Sequence, residues 1–178
     1  MAPTIHPSAH VSEDAEIGEG TLIWHEVQIR EGAKVGRDCR LGKCVYIDKD
    51  VEIGDGCKIQ NRATVYQGVK VGNNVFIGPH VVFTNDLYPR AVSSDWKVVP
   101  TLVKDGSSIG ANSTILCGIT IGEYAMIGAG SVVTHDVDPH ELVIGNPAKR
   151  MGFVCHCGRK LKNNYCSHCN KKVNVGAF

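Results

Sequence analysis

The sequence predicts an all-β rod of stacked parallel coils, with one protruding loop and a small cysteine-rich tail. Three observations carry this. An apolar residue recurs every six positions, a second column of small or β-branched residues follows each of these by four, and four cysteines crowd into the fifteen residues 155–169.

Stepping by six from the start of the chain gives Ile5, Val11, Ile17, Ile23, Ile29, Val35, Leu41, Ile47, Ile53, Ile59, Val65, Val71, Ile77 and Phe83. The step resumes at Ile109 and runs through Ile115, Ile121, Ile127 and Val133. A fixed short period of this kind marks a solenoid, in which each unit buries its apolar face only against its neighbours. Four residues after each slot come Ala9, Ala15, Thr21, Val27, Ala33, Cys39, Val45, Val51, Cys57, Ala63, Val69, Val75 and Val81, then Ser113, Ile119, Ala125 and Ser131. One large and one small inward residue per hexapeptide suit a narrow prism. Cys39 and Cys57 fall in the small column and read as packing residues, since a buried thiol behaves as a small hydrophobe. Three hexapeptides make an 18-residue coil, and six coils at ~4.8 Å each make a rod about 30 Å tall.

Glycine follows every third slot at Gly18, Gly36, Gly54 and Gly72, and again at Gly110 and Gly128. These read as one edge of the prism that needs a positive φ or tight backbone passage. Residues 84–108 then leave the rod at a corner and return to it. A long loop in a compact repeat is a place to look for function.

Composition narrows the classes. With 178 residues, 19 Lys+Arg against 18 Asp+Glu and 6% aromatics, the chain has no field to gather polyanions, and no nucleic-acid partner is expected. No 18 apolar residues run together and the first residues lack an apolar stretch, so the expectation is a cytoplasmic protein with no membrane partner.

Polar chemistry gathers around the loop. Gln60, Asn61 and Arg62, with Tyr66 and Gln67, precede it, and an 18-residue coil sets Tyr66 beneath Thr84 and Gln67 beneath Asn85. The run Thr84-Asn85-Asp86-Leu87-Tyr88-Pro89-Arg90 then leaves the rod. An amide can hold an amine by hydrogen bonding, and a guanidinium fork can meet a phosphate or carboxylate.

The tail begins where the repeat stops, giving a rod of residues 1–150 and a tail of 151–178. Cys155-x-Cys157 and Cys166-x-x-Cys169 supply four thiolates for one tetrahedral zinc, with His156 or His168 as substitute ligands. A redox pair or free thiols are the alternatives. A closed four-ligand site of this kind would be structural, because the connecting residues are too few to fold without metal.

On the hexapeptide columns the chain resembles the hexapeptide-repeat acyltransferases, which fold as left-handed parallel β-helices. That resemblance implies a homotrimer with active sites between neighbouring rods. Ile23-Trp24-His25, Ile59-Gln60-Asn61, Val65-Tyr66, Thr84-Asn85-Asp86, Tyr88-Pro89-Arg90, Asp95-Trp96, Pro100-Thr101 and Gly145-Asn146-Pro147-Ala148-Lys149-Arg150 narrow it further. They resemble the UDP-2-acetamido-3-amino-2,3-dideoxyglucuronate N-acetyltransferases of bacterial surface-polysaccharide synthesis. The resemblance implies acetyl-CoA and a nucleotide sugar as co-substrates, with direct attack of the amine on the thioester. Asn85 takes the orienting role, and Asp86 steadies Asn85 or contacts the sugar. Gln60, Asn61, Tyr66, Tyr88, Arg90 and His25 bind the nucleotide sugar. Ala111, Gly128 and Ala129 admit the pantetheine arm, and Lys149 and Arg150 meet the ADP-ribose phosphates. A strong base is unnecessary, since an amine of pKa near 8 is already about 10% neutral at pH 7.

Rival readings remain. An enzyme of a dTDP-linked amino sugar fits the same residues. A sugar O-acetyltransferase would want a histidine base, yet residues 84–108 contain none, and His80 is the nearest in sequence. A metalloenzyme like the γ-class carbonic anhydrases would draw on His80, His135 and His140, but the last two follow the final slot. A purely structural solenoid would want flat threonine ladders outside.

Overall fold

Each hexapeptide closes on the same local geometry in the computed structural model, which describes residues 1–175. The expected tail reaches three residues beyond them. A two-residue strand such as Lys34–Val35 points its first side chain out and its second, the slot residue, in. Three residues after the slot the backbone takes a positive φ, as at Asp38, Asp50, Asn74 and Asn112. Asp, Asn and Gly dominate these positions because they tolerate the left-handed region best.

The strands stack into three parallel sheets, the faces of the prism. Face 1 carries Ile5, Ile23, Leu41, Ile59, Ile77, Ile109, Ile127 and Val143. Face 2 carries Val11, Ile29, Ile47, Val65, Phe83, Ile115 and Val133. Face 3 carries Ile17, Val35, Ile53, Val71, Val103 and Ile121. The register is 18 residues within the first coils, as in Lys58 opposite Phe76. One apolar core runs up the axis from Ile23 to Val143, with Cys39 and Cys57 fully buried in it as expected. Their thiols donate to the carbonyls of Gly54 and Gly72, 3.1 Å away in each case. Ile5 stays exposed and Val11 and Ile17 half-buried, because no coil lies beneath the first one.

Two expectations are corrected here. The loop spans 84–100, not 84–108: the strand Thr101–Val103 rejoins face 3, with Val103 paired to Val71 below and Ile121 above. Val103 stands six before Ile109, so the repeat resumes one slot earlier than the series places it. As a result Gly110 and Gly128 do not continue the Gly18–Gly72 column. Gly110 stacks over Gly78 on the corner between faces 1 and 2, whereas Gly72 faces Lys104 and Asp105. Nor do these glycines need a positive φ. Each lies where the next coil passes too close for a side chain: a methyl group at Gly110 would run into the Ala129 amide nitrogen.

The rod also continues past Val133. Val137 bridges to Ile121 and Val143 pairs with Ile127, each at a spacing of sixteen, so the six-step ends while the coil does not. The strand Glu141–Gly145 then turns back through Asn146-Pro147 into Ala148–Phe153, an antiparallel hairpin that closes face 1. Among the described residues no helix is long and apolar enough to cross a membrane. Outside, face 3 is a charge ladder (Lys34–Glu16 at 2.7 Å, Lys70–Glu52 at 2.9 Å). Face 2 shows only uncharged side chains from Gln28 through Tyr46, Thr64, Val82 and Thr114 to Val132.

Two hydroxyls in the small-residue column test this packing. Thr21 Oγ1 donates to Gly36 O (2.7 Å) and accepts from Cys39 N (3.0 Å), whereas the buried Thr101 Oγ1 has no partner. Thr21→Val is therefore expected to lower unfolding free energy by about 1–3 kcal/mol, and Thr101→Val to leave it unchanged or raise it by about 1 kcal/mol. Denaturant titration of both variants measures the difference.

Candidate functional site

The loop leaves from the corner between faces 2 and 3, where Arg30, Asp48, Tyr66 and Thr84 stack at 18-residue intervals. Asp48 is the anchor of this column. Buried at 8% exposure, it accepts from Tyr46 Oη (2.9 Å), Lys49 N (2.8 Å), Gln67 N (3.1 Å) and Arg30 Nη1 (3.3 Å). The Tyr46 ring meets Tyr66 edge-on at 5.8 Å. Asp48 and Arg30 are neighbours of this site that the motif reading does not single out.

Above them the loop base is tied at both ends. Thr84 Oγ1 accepts from Cys117 N (2.9 Å), and the Asn85 carbonyl accepts from Val99 N (3.0 Å). Asn85 is thus held half-buried where the loop meets the rod. Asp86 accepts from Tyr88 N (2.9 Å), a turn that sets the direction of the outgoing chain. Asn85, Asp86 and Arg90 line one open concavity of about 530 Å³ with Pro89, Ser93 and Trp96. Tyr88 lines a neighbouring one of about 400 Å³, which shares Asp86 and Trp96. Trp96 is half-exposed and borders both.

Gln60 and Asn61 do not join them. Consecutive hexapeptides each turn one corner, so residues following Ile59 lie on the corner between faces 1 and 2, away from the loop within one chain. There they line a hollow of about 270 Å³ with Trp24, His25 and Lys43, opened by the missing side chain of Gly42. Asn61 Oδ1 accepts from Lys43 N (2.9 Å), and its carbonyl from His80 N (3.1 Å). Up the same corner run Gly78, Gly110 with Ala111, and Gly128 with Ala129, a narrow track of backbone capped by Ile144. Lys149 lies exposed in the terminal hairpin, opposite Ile144. Arg150 is bound internally: Nε meets Glu141 at 2.6 Å and Nη2 meets Asp138 at 2.6 Å, and these acids raise its pKa.

In the tail, the sulfurs of Cys155, Cys157, Cys166 and Cys169 all lie within 4.8 Å of one another. Cys157 and Cys166 are 3.7 Å apart, too far for a disulfide. Sulfurs ~2.3 Å from a tetrahedral centre stand about 3.8 Å apart, so the spacing fits a zinc tetrathiolate. Backbone amides of Cys169 and His168 bring the Cys166 thiol down to about 7, while the neighbouring Cys157 pushes Cys169 up to about 12. Four crowded thiols cannot all ionise without a cation among them. Among the described residues this is the one such group of three or more metal-ligating side chains, and neither His156 nor His168 belongs to it.

Comparison with known proteins agrees with this architecture. The family model described as bacterial transferase hexapeptide (six repeats) matches residues 14–49, 50–85 and 100–135, more than half the chain. A second, described as the hexapeptide repeat of succinyl-transferase, matches residues 32–67. The chain belongs to the bacterial hexapeptide transferases. Among solved structures it is similar to a mutant of perosamine N-acetyltransferase from Caulobacter crescentus, in complex with CoA and GDP-perosamine. The identity there is 25% and the TM-score 0.55, over 85% of this chain and 57% of that one. The acetyltransferase domain of PglB from Neisseria gonorrhoeae shares the fold at 22% identity and TM-score 0.54, over 84% of this chain and 57% of that one. So does the UDP-N-acetylglucosamine O-acyltransferase of Moraxella catarrhalis, at 20% and 0.64, over 85% and 73%. The chain thus spans little more than half the length of the first of these. No curated protein sequence matches it.

Asp48→Ala strips the shared acceptor from Tyr46, Lys49 and Gln67. It is expected to cost about 2–3 kcal/mol of stability, with Asp48→Asn retaining most of it. Thermal and denaturant unfolding of the two variants reads this.

Proposed function

We propose that the protein transfers acetyl from acetyl-CoA to the amine, at C3, of a nucleotide-linked amino sugar for surface-polysaccharide synthesis. The observation that carries the reading is the loop base. Here the repeat opens into a loop, which brings Asn85, Asp86 and Arg90 to a single concavity. That a similar enzyme binds CoA and a nucleotide amino sugar supports both co-substrates.

The chain's own residues suggest how. The Asn85 side-chain carbonyl accepts a hydrogen bond from the amine and aims its lone pair at the thioester. The C–N bond forms as the C–S bond breaks; the nitrogen's surplus proton leaves and the CoA thiolate takes one up. This is catalysis by positioning, with Asp86 beside the amide to hold it. Arg90 meets a phosphate or a sugar carboxylate with its fork, Tyr66 and Tyr88 flank the sugar, and the half-exposed Trp96 indole offers a stacking face. The glycine track past Ala111, Gly128 and Ala129 admits the pantetheine arm, with Lys149 at its end for the phosphates; Arg150 supports the hairpin through its acids. UDP and dTDP carriers fit equally.

His25, Gln60 and Asn61 lie a corner away from Asn85, so they reach the same substrate only across a subunit boundary. The charge-free face 2 is the surface suited to self-association, and a homotrimer satisfies both facts. The four tail cysteines hold one structural zinc. Use of acetyl-CoA supports a cytoplasmic reaction.

Asn85→Ala is expected to lower kcat by about 10²-fold while the KM for acetyl-CoA and the melting temperature stay put. Steady-state thiol release decides it, and unchanged kcat removes Asn85 from the mechanism.

A further inference from the structure

The tail touches the rod at a particular place. Its own small core holds Cys155, Cys166, Val173 and Val175, with Phe153 and Leu161 against them. His156, between two of the thiol ligands, does not turn toward the cluster. Its ring lies edge-on to Tyr124 at 4.3 Å and to His140 at 4.6 Å, while Tyr124 and His140 stack at 5.2 Å. Beside this three-ring contact, Val154 N donates to the His140 carbonyl (2.8 Å), and the Val154 carbonyl is 2.9 Å from His140 Nδ1. Burial lowers the pKa of His140, so its neutral ring donates there.

The next residue, Glu141, is 5% exposed and starts the terminal hairpin. It accepts from Asp138 N (2.8 Å) and from Arg150 Nε, while Arg150 also reaches Asp138. Arg150 and Lys149 share a strand, and Lys149 pairs with Ile144, whose side chain roofs Gly128. A continuous set of contacts therefore leads from the thiol cluster through His156, His140, Glu141 and Arg150 to Lys149.

We infer that the metal-held knuckle is a positioning strap: through His156 it fixes the terminal hairpin in register and so sets Lys149 at the end of the glycine track. The metal does no chemistry. It holds Cys155 and Cys157 rigid, and that rigidity presents the His156 ring to the rod. This inference rests on zinc as the resident ion and on Lys149 as a coenzyme contact.

The test uses His156→Ala, which leaves all four thiols in place, beside the zinc-loaded wild type and the chain stripped by chelation. Zinc content, amide hydrogen exchange across 141–153 and CoA affinity by calorimetry are read on each. The strap predicts one zinc per chain in His156→Ala, with faster exchange across 148–153. CoA binding weakens by about tenfold, the size of one charge-assisted hydrogen bond, while kcat at saturating acetyl-CoA is unchanged. Lys149→Ala shows the same weakening, and combining the two adds nothing. Unchanged exchange and unchanged CoA affinity in zinc-loaded His156→Ala overturn the inference, as does additivity of the two substitutions. If the zinc-loaded wild type fails to bind CoA, the coenzyme reading fails instead, and the exchange data still decide whether the strap exists.

Discussion

Everything in this molecule depends on how closely one coil lies on the next. Each backbone amide along a face donates to the coil above or below, and among the described residues no helix or second layer shares the load. Close stacking forbids a Cβ at the positions just after many of the slots. That is why glycine appears there, and why the corner between faces 1 and 2 becomes a bare track from Gly78 to Gly128. The same constraint makes the rod a ruler: a side chain's height follows from its number, at 18 residues per coil.

A ruler of this kind is legible in a sequence until its spacing changes. The slots from Ile23 to Phe83 and from Ile109 to Val133 all point inward, as their period requires. The period carries no signal of its own phase across an insertion. Val103 is an ordinary slot residue, but with Lys97 six positions before it the series shows a gap, and the loop reads eight residues too long. A coil of sixteen instead of eighteen hides Val137 and Val143 in the same way. The misplaced phase then merges two glycine columns that stand on different corners.

The candidate site was legible unevenly for a related reason. Residues consecutive along the chain, such as Asn85, Asp86 and Arg90, stay together because a loop preserves neighbourhood. Gln60 and Tyr66 look equally close in sequence, yet each hexapeptide turns one corner of the prism, so they face different directions. Asp48 escaped notice because nothing in its local sequence announces that four donors converge on it. The cysteines were the opposite case: their grouping follows from composition and spacing, and the structure adds what spacing cannot show, that His156 packs on the rod.

The central claim is that the loop corner presents a nucleotide-linked amine to acetyl-CoA. Incubating the zinc-loaded protein with acetyl-CoA and a panel of UDP- and dTDP-linked 3-amino, 4-amino and hydroxy sugars tests it most directly. Thiol release is followed, and products are identified by mass spectrometry. The account predicts a gain of one acetyl group on a 3-amino sugar, with no transfer to its 3-hydroxy counterpart. Acetylation of hydroxy sugars alone would contradict it, and would move attention from Asn85 to His80 as a base.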